Sequence, residues 1–282
     1  MIDARGRDRA FHALGLAVLL AALAALGVLL WDVVADGAGR LSWAFVTGYP
    51  SRRASNAGLL PALAGSVWLV GLAALLAMPI GVGAAIALEE YGGRGRWARL
   101  IEINIANLAG VPSIIYGLLG LGLFVRALRL ERTLLAGAAT LALLMLPLVI
   151  LTAREALRAV PLSLREASLA LGATKWQTVW HHVLPAALPG LLTGLILAVS
   201  RVIGEAAPLI VIGALTYVPF VPDGPLSPFT ALPIQIYAWT SRPGTGFRAN
   251  AAAAILVLLA VLLVTNSLAI WLRDRSSRRR PA

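Results

Sequence analysis

Glu166-Ala167-Ser168, then Gly172 six residues after the glutamate, then Leu184-Pro185, lie in a charged loop between two apolar stretches of an otherwise greasy chain. Ser163 with Glu166 three residues on has the form of a capping box, which predicts a short helix starting after Pro161. Leu164, Ala167 and Leu171 recur at helical spacing, and Gly172 suits the left-handed turn that ends a helix. Thr174 with Gln177 repeats the box and opens a second helix, with Trp176, Val179, Trp180 and Val183 along one face. Pro185 then interrupts the register. The expected product is helix, glycine hinge, helix: a knob with one apolar side. Residues alone leave two readings open, an amphipathic loop lying on a membrane surface or a dock for a soluble partner.

Composition decides what surrounds this loop. At 59% hydrophobic and 13% charged residues over 282, the chain has too little charge to cover a water-facing globule. A bilayer span needs about 20 apolar residues. Ala13–Trp31, Ala57–Leu88, Ile103–Val125, Leu134–Ala153 and Ala249–Leu272 are uncharged, and Val183–Ile212 is long enough but holds Arg201 and Glu205. An all-α polytopic membrane protein of six transmembrane helices follows, as one domain over residues 1–282. Its spans are near 12–34, 64–88, 103–125, 134–153, 186–212 and 249–272, and the loop is 154–185.

Orientation follows from basic residues. With the N-terminus inside, fifteen Lys and Arg fall on the cytoplasmic side and eight on the other, with Arg201 in a span. The net charge of +11 therefore reads as topology and contact with anionic lipid, not nucleic-acid binding. Trp31, Tyr91, Trp97 and Trp271 sit near span ends, where amphipathic rings settle among headgroups. The first apolar run is longer than a signal-peptide core and no small-residue cleavage site follows it, so it is expected to stay as a span. The C-terminal Arg278-Arg279-Arg280 reads as a membrane-surface anchor.

Zero cysteines exclude disulfides, thiolate metal sites and cysteine catalysis, and His12, His181 and His182 form no ligand set. Ala186, Gly190, Gly194 and Ala198 make a small-residue stripe along the fifth span, which lets a neighbouring helix come close. Pro189 and Pro208 break the ladder of that span, as Pro79 and Pro147 do in the second and fourth. The outer segment Thr216–Arg248 has room for one short helix or re-entrant turn. Arg201 and Glu205 are the only acid and base well inside an apolar span, where a lone charge costs about 2.5–3.5 kcal/mol on insertion scales. Their i,i+4 spacing places them on one helix face. Either they fasten the span to a neighbour, or they line a translocation path in which the Arg201 fork meets an oxyanion.

Ser200-Arg201-Val202-Ile203-Gly204-Glu205-Ala206-Ala207-Pro208-Leu209 resembles the signature of phosphate-importer permeases. Gly110-Val111-Pro112-Ser113-Ile114-Ile115-Tyr116-Gly117 and Leu232-Pro233-Ile234-Gln235-Ile236-Tyr237 do too. With the loop motif, these stretches resemble the permeases of Pst-type phosphate ABC importers, of the PstA branch. The resemblance implies a type I, MetI-like importer fold in a bacterial cytoplasmic (inner) membrane, with both termini cytoplasmic. It implies Arg201 and Glu205 in the substrate path, and Glu166, Ala167, Ser168, Gly172, Leu184 and Pro185 in ATPase coupling. Its implied partners are two ATP-binding cassette subunits that hold the ATP, a second homologous permease and an extracytoplasmic phosphate-binding protein, besides membrane lipid. His182 departs from the pattern, which favours a branched apolar residue there. The chain carries no G-x4-G-K-[ST] and Lys175 is its only lysine, so no cofactor is expected on the chain itself and it is not expected to be an enzyme. A permease for another solute, an ion-coupled carrier and a membrane enzyme are the competing readings; a carrier needs no ATPase dock, and no His, Asp or Ser cluster pairs a nucleophile with a base.

Overall fold

The computed structural model describes residues 4–92, 95–214 and 217–278. Arg279, Arg280 and Thr216, named above, lie outside them, as does Arg94, one of the fifteen basic residues counted on the cytoplasmic side. Apolar sequences without charge cannot leave backbone N–H and C=O groups unpaired in lipid, and the chain answers with helices. In order these are α1 (Ala4–Gly37), α2 (Trp43–Thr47), α3 (Leu60–Ile86), α4 (Arg96–Ala109), α5 (Ser113–Gly120), α6 (Leu134–Arg158), α7 (Leu162–Ala170), α8 (Lys175–Thr178), α9 (Leu184–Ile203), α10 (Ala207–Ile212), α11 (Leu232–Thr240) and α12 (Thr245–Arg278). Among the described residues five helices are long and apolar enough to cross a bilayer. Two further pieces, Arg99–Ala109 and Ser113–Ala127, pass that test only together and are bent by 100° at the break between them, which makes a sixth candidate if the two count as one span.

That bend differs from the continuous span read over 103–125. Pro112 lacks an N–H and holds φ −55°, ψ 136°, so α4 cannot run on through it, and α5 starts afresh at Ser113. The Tyr116 hydroxyl reaches back and donates to the Leu108 carbonyl at 2.8 Å, pinning the corner. The fifth span is broken too: α9 stops at Ile203, and α10 restarts at Ala207 with Pro208 in its first turn. At the other end of α9 the expected interruption by Pro185 is absorbed. A π-helical turn, Val179–Val183, runs straight into α9, and the Leu184 N–H donates to the Val179 carbonyl five residues back. One widened turn supplies the slack that a proline needs.

The bundle is built around α6, whose two faces carry α3 and α9. Leu69, Ala73, Ala77, Leu141, Met145, Ala198, Val202, Leu209 and Phe229 form the buried centre. The small-residue stripe makes this closeness physical: a Cβ on Gly194 would lie 2.2 Å from Thr152 Oγ1, and one on Gly190 2.6 Å from Ala156 Cβ. At the end of the bundle that carries α11, Leu232 and Trp239 of that helix pack with Phe45 and Leu59 in a second cluster; α11 is the short helix for which the segment 216–248 had room. In contrast, α1 is exposed along nearly its whole length and packs mainly on α12. It is clipped there at its C-terminal end: Arg248 Nε donates to Asp36 Oδ2 at 3.0 Å, and Arg40 Nε donates to the buried Asn250 at 2.7 Å.

Candidate functional site

The loop motif folds into α7 and α8. The Ser163–Glu166 capping box does not form; α7 starts at Leu162 with Pro161 as its cap residue and no side-chain cap. Pro161 sets the entry direction, and its carbonyl already receives the Leu164 N–H. Ser163 therefore sits inside the first turn, with Glu166 exposed. The other half of the reading is present in full. Gly172 has φ +84°; its N–H donates to Leu169 O and the next N–H, of Ala173, to Ser168 O. Those two bonds are the Schellman termination of a helix. Thr174 and Gln177 form the reciprocal capping box of α8. Between the arms, the buried Ser168 and Thr178 hydroxyls hydrogen-bond at 2.9 Å and hold α7 against α8. Leu184 and Pro185 form the first turn of α9, half-buried.

The apolar side chains of the knob divide between two faces instead of sharing one. Val179 and Val183 are buried, whereas Trp176 and Trp180 stack on each other at 5.6 Å, are exposed and face away from the core. Leu171, read at helical spacing with Leu164 and Ala167, is 89% exposed, and Leu162 and Leu169 project as well. Five large apolar side chains thus stand exposed on α7, α8 and the turns that follow them. A patch of that kind marks a contact surface.

Its root is tied down by charges that the sequence reading counted only as topology. Arg165 donates to Glu90 Oε1 at 2.8 Å and to the Val160 and Leu157 carbonyls, fixing α7 to the end of α3. Arg154 lies 3.4 Å from Glu89 and 3.2 Å from Glu102; Arg158 lies 2.8 Å from Glu89 and 3.7 Å from Glu102. Arg154, at 8% side-chain exposure, would be costly to leave unpaired. Lys175 adds a fourth tie, its ammonium 5.1 Å from the Tyr91 ring. Three helix ends and the loop are joined here. Glu89 and Glu90 follow directly on an uncharged span and Glu102 precedes another, and that flanking position was the available signal.

Arg201 and Glu205 do not share a helix face. The ladder of α9 ends between them, at Gly204, and the Glu205 N–H donates to Val202 O in the turn. Among the described residues the two make no ion pair. Glu205 is half-buried beside a small pocket that Ser66, Leu141, Val202, Ala231 and Pro233 also line. Arg201 is exposed. The three quoted motifs converge here from distant parts of the sequence. A Cβ on Gly117 would sit 2.7 Å from Pro208 Cα, so α5 and α10 touch backbone to backbone. Ala231 and Pro233, at the head of α11, face Glu205 across the pocket. An exposed guanidinium inside an apolar span cannot rest against lipid tails without cost, so it needs water, an anion or another chain beside it.

Known proteins are similar to this chain in sequence, and others in fold. The profile of the family described as binding-protein-dependent transport system inner membrane component matches residues 77–280. The phosphate transport system permease protein PstA 1 of Mycobacterium tuberculosis (strain CDC 1551 / Oshkosh) is 37% identical over 268 residues, 92% of this chain and 86% of that protein. The corresponding PstA of Haemophilus influenzae is 36% identical, covering 83% of each chain. A probable ABC transporter permease of Bacillus subtilis, YqgI, is 33% identical over 85% of this chain and 86% of its own. In three dimensions, the inward-facing MetNI methionine ABC transporter superposes with a TM-score of 0.62 at 21% identity, over 78% of this chain and 95% of that one.

Proposed function

The chain belongs to the binding-protein-dependent transport system inner membrane component family, and from that premise we infer that it is a permease subunit of an ATP-driven importer of inorganic phosphate. It is a multi-pass protein of the inner membrane. The relatives named as phosphate permeases support the substrate, and the exposed Arg201 inside a span is the observation that carries the mechanism. A planar guanidinium can offer two hydrogen bonds to one oxyanion. Arg201 is the group that meets phosphate in the path. Glu205, held apart by the helix break, is positioned to receive Arg201 only after α9 and α10 rearrange.

In this reading α7 and α8 dock on one of two ATP-binding cassette subunits, which hold and hydrolyse the ATP. The apolar knob is the contact, with Glu166 and Ala167 exposed on it. A second homologous permease completes the pathway, and an extracytoplasmic binding protein delivers phosphate. The direct test is reconstitution of the complete complex in proteoliposomes. Uptake of radiolabelled phosphate should require ATP and the binding protein, and equimolar unlabelled sulfate should not compete. Competition by sulfate, or uptake without ATP, would defeat the substrate or the energy source respectively.

The same reading puts both termini and the knob in the cytoplasm, as the excess of flanking arginines suggests. With no native cysteine, a single introduced thiol reports its own position in this chain. Ser55→Cys and Gly224→Cys are expected to react with an impermeant maleimide in intact cells, and Thr174→Cys only after lysis. Labelling of Thr174→Cys in intact cells would invert the orientation.

A further inference from the structure

Just ahead of α6, Arg132 is set by a turn that its backbone would not adopt unaided. Arg129 has φ 52° and Glu131 φ 56°, a left-handed region that residues with a Cβ enter at a cost. Neighbouring bonds hold the turn regardless. The Leu130 N–H donates to Phe124 O at 3.0 Å and Thr133 Oγ1 to Leu130 O at 2.9 Å. The Leu134 and Leu135 N–H groups donate to Ser227 O and Pro225 O at 3.0 and 2.7 Å. Strain that its surroundings over-determine is a mark of a positioned group. The group here is the Arg132 side chain, which lies across Gly213 at the end of α10. A Cβ on Gly213 would stand 2.9 Å from its Nε and 3.1 Å from its Cζ. Gly213 has φ +89°, and glycine supplies both that conformation and the space.

The charge delivered there is uncompensated. Arg132 is exposed, and among the described residues it makes no ion pair and no hydrogen bond. Glu131 does not pair with it, and Asp223, in the loop that bonds the start of α6, accepts from the Ser227 hydroxyl. The helix beneath Arg132 joins it to the site already described: α10 is six residues, about 9 Å long, and Arg201 stands just before the break that precedes it. Two exposed guanidiniums thus flank one short helix, the helix whose Pro208 packs on Gly117. The 25 residues of α6, about 37 Å, separate Arg132 from the Arg154–Arg158 joint at the root of the knob. Arg132 is therefore on the face remote from the knob, where substrate enters in the import reading. Fixed positive charge at the mouth of a low-dielectric path raises the local concentration of anions. We propose that Arg132 is the first group of this chain to hold the incoming oxyanion, inorganic phosphate, and passes it along α10 to Arg201. The inference rests on the reading of the chain as a phosphate permease and adds an entry station to it.

The test is phosphate uptake by proteoliposomes holding the complete complex, over a range of concentrations of loaded binding protein and normalised to assembled complex. Arg132→Gln should lower the maximal rate by about tenfold, the loss of one charge-assisted contact made in passage, with the half-saturating concentration of binding protein unchanged. Gly213→Ala should do the same with Arg132 intact, because its Cβ displaces the guanidinium. Arg132→Lys should recover a large part of the rate, since it keeps the charge. Arg126→Gln and Arg129→Asn change exposed arginines of the same stretch and should leave both constants as in the wild type; asparagine tolerates the left-handed backbone at 129. A change confined to half-saturation would make Arg132 a contact for the binding protein instead. An equal deficit in Arg126→Gln or Arg129→Asn would reduce the effect to general charge, and a wild-type rate in Arg132→Gln would leave the residue structural. Each of these overturns the entry station while phosphate import by the wild type stands. A wild-type complex that imports no phosphate would defeat the functional reading, and the station with it.

Discussion

Arg201→Gln is expected to reduce phosphate uptake per assembled complex by at least about tenfold, with normal insertion and subunit association. Hydrogen bonds to a charged group contribute about 1.5–3 kcal/mol, or roughly ten- to more than a hundredfold if made mainly as the anion passes. Arg201→Lys should fall between, since an ammonium keeps the charge and loses the planar fork. The break at Gly204 makes the single variant interpretable: Glu205 is not bonded to Arg201, so removing the guanidinium strands no partner carboxylate in this conformation. Glu205→Gln should leave single-turnover release of phosphate intact and slow the return of the empty permease. The double glutamine variant then supplies the check. Radiolabelled uptake near the wild-type level in Arg201→Gln, or in the pair together, would return both residues to a structural role.

The second large effect is expected at the knob. Gly172→Val forces a β-branched residue to φ +84°, where L side chains pay about 1–2 kcal/mol, and Gly172→Pro also removes the N–H that Leu169 receives. A Cβ at Gly172 meets nothing within 4 Å, so the damage is to the turn and not to packing. Leu171→Asp attacks the same contact from the surface, placing a charge where a large apolar side chain is 89% exposed. All three should reach the membrane at normal levels, lose ATP-driven uptake nearly completely, and fail to crosslink from Ala167→Cys to the ATPase subunit. Full uptake in Leu171→Asp together with Gly172→Pro would mean that the ATPase is engaged elsewhere.

Helices, their apolar lengths and the glycine turn were legible because each is decided locally. Gly172, Thr174 and Gln177 act on backbone within six residues, and the structure carries them as read. The Ser163 box failed for an equally local reason, since Pro161 already set the start of α7. What sequence could not give is which way a helix face turns. Trp176 and Trp180 share helical spacing with Val179 and Val183, yet a single π turn sends the tryptophans outward. The Arg201–Glu205 spacing misled in the same manner. Four residues mean one face only while the ladder continues, and Gly204 with Pro208 ends it. The arginines at the loop's root were visible, but their partners Glu89, Glu90 and Glu102 come from other helices, and such pairings are tertiary.

Two of those arginines and two of those glutamates have a further property. Arg154 and Arg158 each lie within 4 Å of both Glu89 and Glu102, so the four charges can be matched in two ways. One matching uses the 3.2 and 2.8 Å contacts, the other the 3.4 and 3.7 Å contacts. Passing from one to the other leaves no ion deserted in a poorly solvated place, which is what ordinarily makes rearranging a half-buried salt bridge slow. With such degeneracy, a small displacement of α6 against α3 and α4 would exchange one matching for the other without leaving a charge unpaired. The joint can be firm in either setting and still cheap to reset.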